Sequence, residues 1–333
     1  MKQQIGWGIL GCGHIAAKFA SDLSHVADAE LAAVGARSQV NADSFAKEFS
    51  AGRSHGSYEA LVGDESVDVI YVATPHGLHH QHVMLCLENR KAVLCEKAFA
   101  INSREAQEMI SMAKLKNIFL MEALWTKFLP NFAVVRNMVA TGVLGDIRSV
   151  LVNFGFIPRQ PVTTRIYEPA LGGGTMLDIG IYNVFMVLSF LGRPDSIVAS
   201  MEPAETGVDK QCAVTLKYKS GAFAQIFSSF TTHLPTEACI NGNRGRIRLT
   251  HRFYSPAADI EYFPDGIDSR QIIPFPQETG FGYQHEARHV CECLRQGLTE
   301  SPVMTHADTM ELMETLDAIR KAAGIHYPVD GPV

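Results

Sequence analysis

The pentapeptide Val93-Leu94-Cys95-Glu96-Lys97 ends an apolar run in a carboxylate and an amine. Such a run reads as a buried strand of a parallel sheet. Charge at the carboxyl end of such a strand points into the crevice where open α/β sheets bind ligands. Lys97 is therefore the first candidate for chemistry: its ammonium can exchange a proton and stabilise negative charge developing on a substrate oxygen. A second set lies in Gly172-Gly173-Gly174-Thr175-Met176-Leu177-Asp178-Ile179-Gly180-Ile181-Tyr182. Leu177, Ile181, Val184, Leu188 and Leu191 recur at helical spacing, so one face of this helix is core. Asp178 and Tyr182, four apart, stack a carboxylate and a phenol on a different face. Two readings stand on the residues alone. Thr175-x-x-Asp178 has capping-box spacing, so Asp178 caps the helix, or it orients a proton-transfer group. Tyr182 is an interface phenol at the core's edge, or that group.

These residues need a frame. The strand Ile5–Leu10 runs into Gly11-Cys12-Gly13-His14-Ile15-Ala16 and a helical pattern to about Leu23. Gly11 makes the tight turn, Gly13 admits a pyrophosphate to the backbone, and Ala16 lets helix and strand pack. Set between a strand and a helix, this is a dinucleotide-binding fingerprint, with Gly11, Gly13, His14 and Ile15 as contacts. The second strand, Leu31–Ala36, is followed by Arg37-Ser38, where an NAD enzyme usually places Asp or Glu for the ribose. A carboxylate would repel a 2′-phosphate and Arg37 can grip one with paired donors, so Arg37 and Ser38 point to NADP. The buried strand 67–73 ends in Thr74-Pro75-His76-Gly77-Leu78-His79-His80. His76, His79, His80 and His82 crowd this loop, but no Cys or carboxylate joins them at metal-ligand spacing, which argues against a metal. The loop is placed over the cofactor, with Thr74, Pro75 and His79 against it and His76 near the substrate. Short-range alternation of strands and helices predicts a doubly wound parallel sheet.

After Ala123 the alternation stops. The division expected is 1–122, a Rossmann domain, and 123–333, an α+β substrate-binding and oligomerisation domain. Strand-like runs at 147–157, 195–201, 211–219, 222–231, 236–241 and 244–250, with a hairpin signal at Asn241-Gly242-Asn243, predict a large, mostly antiparallel, open-faced sheet. Residues 256–282 read as loops and short edge strands. His285–Gln296 and Ala307–Ala323 read as helices, the first with Glu286, His289 and Glu292 on a solvated face. Trp125, Phe154 and Phe281, with Phe156 and Tyr254, are candidates for an aromatic substrate wall.

The 333 residues suggest about two domains. The net charge of −6, with no basic stripe, argues against nucleic acid and anionic membranes as partners. No apolar run is expected to approach the roughly 18 residues a membrane span needs, and no secretory leader is read at the N-terminus. Seven cysteines, an odd number mostly in apolar segments, predict reduced thiols and a cytoplasmic setting. Cys291-Glu292-Cys293 lacks the second ligand pair of a zinc site.

Gly11-x-Gly13-x-x-Ala16, the strand end Ala73-Thr74-Pro75, His79 and Cys95-Glu96-Lys97 together resemble the glucose–fructose oxidoreductase/inositol dehydrogenase superfamily. Phe99–Asn102, Met121–Pro130 and the segment around Asp178 are most similar to its dimeric dihydrodiol dehydrogenases and related NADP-dependent sugar dehydrogenases. The resemblance implies hydride transfer between NADP and a secondary alcohol of a polyol, a trans-dihydrodiol or an aldose such as D-xylose. It implies Lys97 and Tyr182 as an acid–base pair oriented by Asp178, with Glu96 and Lys97 beside the cofactor. It further implies a homodimer, or dimer of dimers, through the C-terminal sheet. Related alternatives are a 1,5-anhydrofructose-type ketose reductase and a tight-NADP sugar oxidoreductase; one of another class is a non-catalytic NADP-sensing regulator. Arg148, Arg159 and Arg165 suit an acidic substrate, but nothing in the sequence places them together. One departure stands out: the family's Glu-Lys-Pro is Glu96-Lys97-Ala98 here. Proline fixes φ, so Ala98 leaves the lysine's setting less rigid unless another contact fixes it.

Overall fold

A computed structural model describes residues 4–159, 165–264 and 269–331. The chain divides into two compact units, Met1–Phe128 with Glu278–Met310, and Leu129–Gln277 with Glu311–Val333. The first unit thus takes in a segment that a single boundary along the chain leaves with the second.

The first unit is built from β1 (Ile5–Leu10), α1 (His14–Leu23), β2 (Ala29–Gly35), α2 (Gln39–Phe49), β3 (Arg53–His55), α3 (Tyr58–Val62), β4 (Val69–Val72), α4 (His79–Glu88), β5 (Ala92–Glu96), α5 (Ser103–Lys116) and β6 (Leu120–Ala123). The strands form one parallel sheet in the order β3-β2-β1-β4-β5-β6. Every residue of β1, β4, β5 and β6 is buried, as expected of strands covered on both faces. The order reverses between β1 and β4. The Gly11–Ala16 turn and the loop from Thr74 follow those two adjacent strands, and Lys97 follows β5 beside them. This is where a doubly wound sheet opens a crevice.

The second unit holds α6 (Pro130–Ala140), β7 (Ile147–Gly155), α7 (Ile181–Leu191), β8 (Ser196–Pro203), β9 (Asp209–Lys217), β10 (Phe223–Ser229), β11 (Ala238–Gly242), β12 (Gly245–Leu249), β13 (Ile260–Pro264) and β14 (Gln271–Ile273). Its eight strands run in the order β14-β13-β12-β11-β7-β10-β9-β8. All neighbours are antiparallel except β7 and β10. Val150, Val152 and Phe154 of β7 and Cys212, Val214 and Leu216 of β9 are buried and alternate with more exposed neighbours, so one face is core. α7 covers that face, packing against β7, β10 and β11. Two helices complete the chain: α8 (Tyr283–Arg295), in the first unit, and α9 (His306–Ala323), within which the division falls.

Two expectations are corrected. By length and composition, Pro169–Leu191, with a mean hydropathy of 1.5, is apolar enough to cross a membrane. Its most apolar window is 78% buried within the protein, so its apolar surface is satisfied by the core. Nor is the face of α8 carrying Glu286 solvated. Glu286 is fully buried, His289 is half-buried, and only Glu292 is exposed. The reason lies in α1: Asp22 is itself fully buried and accepts hydrogen bonds from the backbone N–H groups of Phe281 and Tyr283, each at 2.8 Å. It thereby pins the start of α8 against α1 with Glu286 facing inward.

Candidate active site

In the first unit, Gly11 has φ +99°, and a Cβ there would lie 2.9 Å from the Thr74 methyl, so only glycine fits. A Cβ on Gly13 would meet nothing within 4 Å. Gly13 is the N-cap of α1 and offers no side chain to the helix's first amides. Open space before a glycine, at a helix start without a side-chain cap, fits a dinucleotide pyrophosphate. His14 is exposed and Ile15 half-buried on this turn. Arg37 is exposed and Ser38 half-buried just beyond β2. Tyr58 packs edge-on to His82 at 4.8 Å. Burial raises the pKa of the Tyr58 phenol, with the Arg37 charge opposing. Burial lowers that of His82, opposed by Glu59 and reinforced by Arg37. A cation, a phenol and an imidazole thus gather beyond β2, and sequence reasoning found only the cation.

Lys97 sits on a braced support. The Tyr71 hydroxyl donates to the Glu96 carboxylate, and the Lys97 N–H reaches the other Glu96 oxygen at 3.2 Å. The Lys97–Ala98 peptide bond is cis. Ala98 is fully buried, and its carbonyl lies 2.8 Å from His79 Nδ1. His79 Nε2 lies 2.7 Å from the Thr74 carbonyl. Burial drives the His79 pKa down to about 4 against the pull of both carbonyls. At neutral pH the ring is therefore uncharged and its single N–H serves one carbonyl at a time. His79 is one contact the structure gives to the Ala98 carbonyl. Being fully buried, it ties two site loops together from behind. The other histidines are also engaged: His76 is buried edge-on to His79 at 5.7 Å, His80 pairs with Glu108 at 2.8 Å, and His82 contacts the Thr74 hydroxyl at 2.9 Å. Pro75, in the same loop, is half-buried.

Buried acids gather in the same unit. Burial raises the Glu286 pKa well above the usual carboxylate range, and the negative charges of Glu96 and Asp22 raise it further. Neither Glu286 oxygen has a hydrogen-bond partner among the described residues, so no donor there offsets the burial. Burial pushes Glu122 up to about 7. The Thr309 hydroxyl and the Phe99 amide favour its charged form, but burial outweighs them. Of the aromatic candidates here, Trp125 is buried and stacks on Tyr283 at 4.7 Å. Phe281 is 48% exposed, and the Lys18 ammonium lies 5.5 Å from its ring centre.

In the second unit the Thr175 side chain does not make its half of a capping box with Asp178. Met176–Gly180 is a π-helical turn leading into α7, and Thr175 makes no side-chain cap to it. The Thr175 hydroxyl donates instead to Asp209 Oδ2 at 2.5 Å, and the Met176 N–H donates to the same oxygen at 2.8 Å. Burial pushes Asp209 up to about 6 against these two donors. Asp178 is 9% exposed and lies 3.6 Å from the Arg165 guanidinium. Tyr182 stacks on Tyr254 at 4.8 Å, and Tyr254 stacks on Phe154 at 4.6 Å. Phe154 is thus brought to Tyr182 as an aromatic wall, with Tyr254 between them. Burial raises the Tyr254 pKa, with Arg252 opposing and the Asp178 charge adding to it. Arg165 and Asp209 were not legible as partners of this helix; Arg165 carries no periodic signal, and Asp209 simply opens an alternating strand. Arg148 pairs with Asp146 at 3.0 Å.

A parallel sheet in Rossmann order with a fitting turn at its switch point, in a chain that also builds a large open-faced sheet, defines a class of nucleotide-binding oxidoreductases. The chain belongs to the GFO/IDH/MocA oxidoreductase family: residues 5–123 match its "Oxidoreductase family, NAD-binding Rossmann fold" domain, and residues 132–248 match the "GFO/IDH/MocA C-terminal domain". It is 36% identical to trans-1,2-dihydrobenzene-1,2-diol dehydrogenase of Xenopus tropicalis, over 97% of this chain and 99% of that one. It is 36% identical to the Homo sapiens enzyme of the same name, over 97% and 98%. A 3-ketoreductase from Actinomadura kijaniata, crystallised with NADP and TDP-benzene, superposes with a TM-score of 0.86 at 25% identity, covering 96% of this chain and 98% of that one. An aldose-aldose oxidoreductase from Caulobacter crescentus shares the fold at the same TM-score and coverage, with 23% identity.

Proposed function

We propose that this protein moves a hydride reversibly between NADP(H) and a secondary alcohol or carbonyl of a neutral polyol, with Lys97 and Tyr182 as its acid–base pair. The observation that carries this reading is the preparation of the two groups. Lys97 is held at a strand end by Glu96, Tyr71 and His79. Tyr182 and Asp178 are held at a helix start tied to β9.

When bound, NADP supplies the two-electron acceptor. Gly11, Gly13, His14 and Ile15 would hold its pyrophosphate, and Arg37 and Ser38 a 2′-phosphate. The substrate hydroxyl must lose its proton as the hydride leaves. Tyr182 and Lys97 are the pair that would take that proton, and a Lys97 ammonium would stabilise the charge on the oxygen. In reduction the same groups return the proton. Asp178 orients the pair. The Phe154–Tyr254–Tyr182 stack suits a flat, ring-bearing diol or the apolar face of a sugar. The relatives named for a trans-dihydrodiol support such a substrate, and the 3-ketoreductase crystallised with NADP supports the choice of cofactor. D-xylose and a 1,5-anhydroketose suit the same chemistry. A cytoplasmic setting and a homodimer formed through the second unit's sheet complete the proposal.

The test is a panel assay of nucleotide reduction with trans-dihydrodiols, D-xylose and D-glucose, and of NADPH oxidation with 1,5-anhydrofructose. Turnover is expected with at least one polyol, with NADP favoured over NAD. No turnover across the panel despite tight NADP binding, or a preference for NAD, would overturn it.

A further inference from the structure

We infer that Asp209 is a positioning residue for the proton-transfer helix: from β9 it grips Thr175 and Met176, and so sets where Asp178 and Tyr182 stand. The inference rests on the reading of Asp178 and Tyr182 given above and adds to it the group that holds them. Asp209 and Thr175 are both fully buried. Both hydrogen bonds, 2.5 Å from the Thr175 hydroxyl and 2.8 Å from the Met176 amide, converge on one carboxylate oxygen. A side-chain cap drawn from the helix's own first turn would fix only that turn. A cap from a neighbouring strand fixes the helix to the sheet.

The loop entering the helix is shaped around this carboxylate. Gly174 has φ +106°, and a Cβ there would come within 2.3 Å of Asp209 Oδ1, so no other residue fits beside the carboxylate. The Asp178 N–H closes back on the Gly174 carbonyl at 3.3 Å, and the Gly174 N–H donates to the Ile166 carbonyl at 2.8 Å. The Tyr327 hydroxyl donates to the Gly173 carbonyl at 2.6 Å. Tyr327 lies under the Arg320 guanidinium, which is bonded to Asp317 and Asp330 at 2.7 and 2.8 Å. From Asp209 to Asp178 is thus a short run of fixed backbone with one glycine that admits no side chain. Burying a carboxylate is costly unless its charge is matched by donors. Here the donors are the first groups of the helix that carries the proposed chemistry.

The experiment compares Thr175→Val with Thr175→Ser, and Asp209→Leu with Asp209→Asn, in the full chain. It measures kcat, KM for polyol and for NADP, and Tm. Tyr182→Phe is measured in parallel. Thr175→Val keeps the side-chain volume and removes the donor; Thr175→Ser keeps the donor. Thr175→Val and Asp209→Leu are expected to lower kcat by ~10-fold or more, the scale of a small misplacement of a reacting group, with KM for NADP unchanged. Thr175→Ser and Asp209→Asn should recover most of it, since each retains its half of the hydrogen bond. If Asp209→Leu does not fold, the Thr175 pair decides. Wild-type kcat in Thr175→Val, or equal losses in Val and Ser variants, overturns the inference. If Tyr182→Phe is impaired while Thr175→Val is not, only the role of Asp209 falls. If Tyr182→Phe turns over like wild type, the acid–base reading falls and the inference with it.

Discussion

Lys97 stands where an apolar strand runs out, and its neighbours explain why the setting holds with Ala98 in the place of a proline. Tyr71 and Glu96 brace the strand end from one side, and His79 holds the Ala98 carbonyl from the other. Lys97→Met should leave NADP affinity nearly intact and lower kcat by at least ~10², the scale of general acid–base catalysis. Pre-steady-state kinetics with a good substrate checks it, and near-wild-type turnover removes Lys97 from the mechanism. Arg37→Ala should weaken NADP binding by about 1.5–3 kcal/mol, a charged hydrogen bond's worth, and leave NAD binding unchanged. Titration calorimetry with both nucleotides separates the two. Gly11, Gly13, Arg37 and Lys97 were legible because each is placed by the strand immediately before it. Tyr254 was legible as a wall candidate but not as the neighbour of Tyr182; Arg165 and Asp209 were not legible as partners of this helix, because neither carries a local signal that points to it.

At the scale of elements, the sequence pattern placed β1, α4 and α7 closely, since each shows a clear period or an abrupt change of composition. It misread the inward face of α8, because a helix with Glu, His and Glu on one side looks solvated until Asp22 is seen to turn it inward. It also offered a local cap for the Asp178 helix where the fold uses a cap from β9. The buried acid of β6 gives a pH signature. The Glu122 pKa is raised to about 7 in the folded chain and lies near 4.3 in an unfolded one. The folded state therefore holds the extra proton between these values, and stability falls as pH rises through that window. The loss approaches ~4 kcal/mol above pH 7 if no other group compensates. Glu122→Gln carries no titrating proton, so its Tm relative to wild type should rise steadily from pH 5 to pH 8. A difference in Tm that stays constant with pH would show that Glu122 does not ionise in that range.

At the scale of the whole molecule, the outer face of the second unit's sheet presents Leu151, Val198 and Phe223, exposed by 42%, 58% and 47%. Their strand pairing puts them on one face with Thr215 and Gln225. Large apolar side chains exposed on one sheet face, interspersed with polar ones, suit an interaction site, which supports the proposal that two copies pair there. On the proposed homodimer, a Leu151→Asp, Val198→Asp double variant is expected to be monomeric in light scattering where the wild type is dimeric, while its circular dichroism stays native. A dimer that survives both charges would place the interface elsewhere.

The order of residues by itself determined the alternation of strand and helix, the phosphate-binding turn, the switch to a second sheet and the lysine at a strand end. All of these follow from period, glycine and charge within a few neighbouring residues. Only the tertiary structure decided that α8 returns to the first unit, that Glu286 is buried there, that His79 meets the Ala98 carbonyl and that Asp209 caps the helix of Asp178 and Tyr182. Each joins residues far apart in the chain. Local pattern cannot encode such contacts, because what selects them is which surfaces meet when the sheets close and which buried polar groups must then find partners.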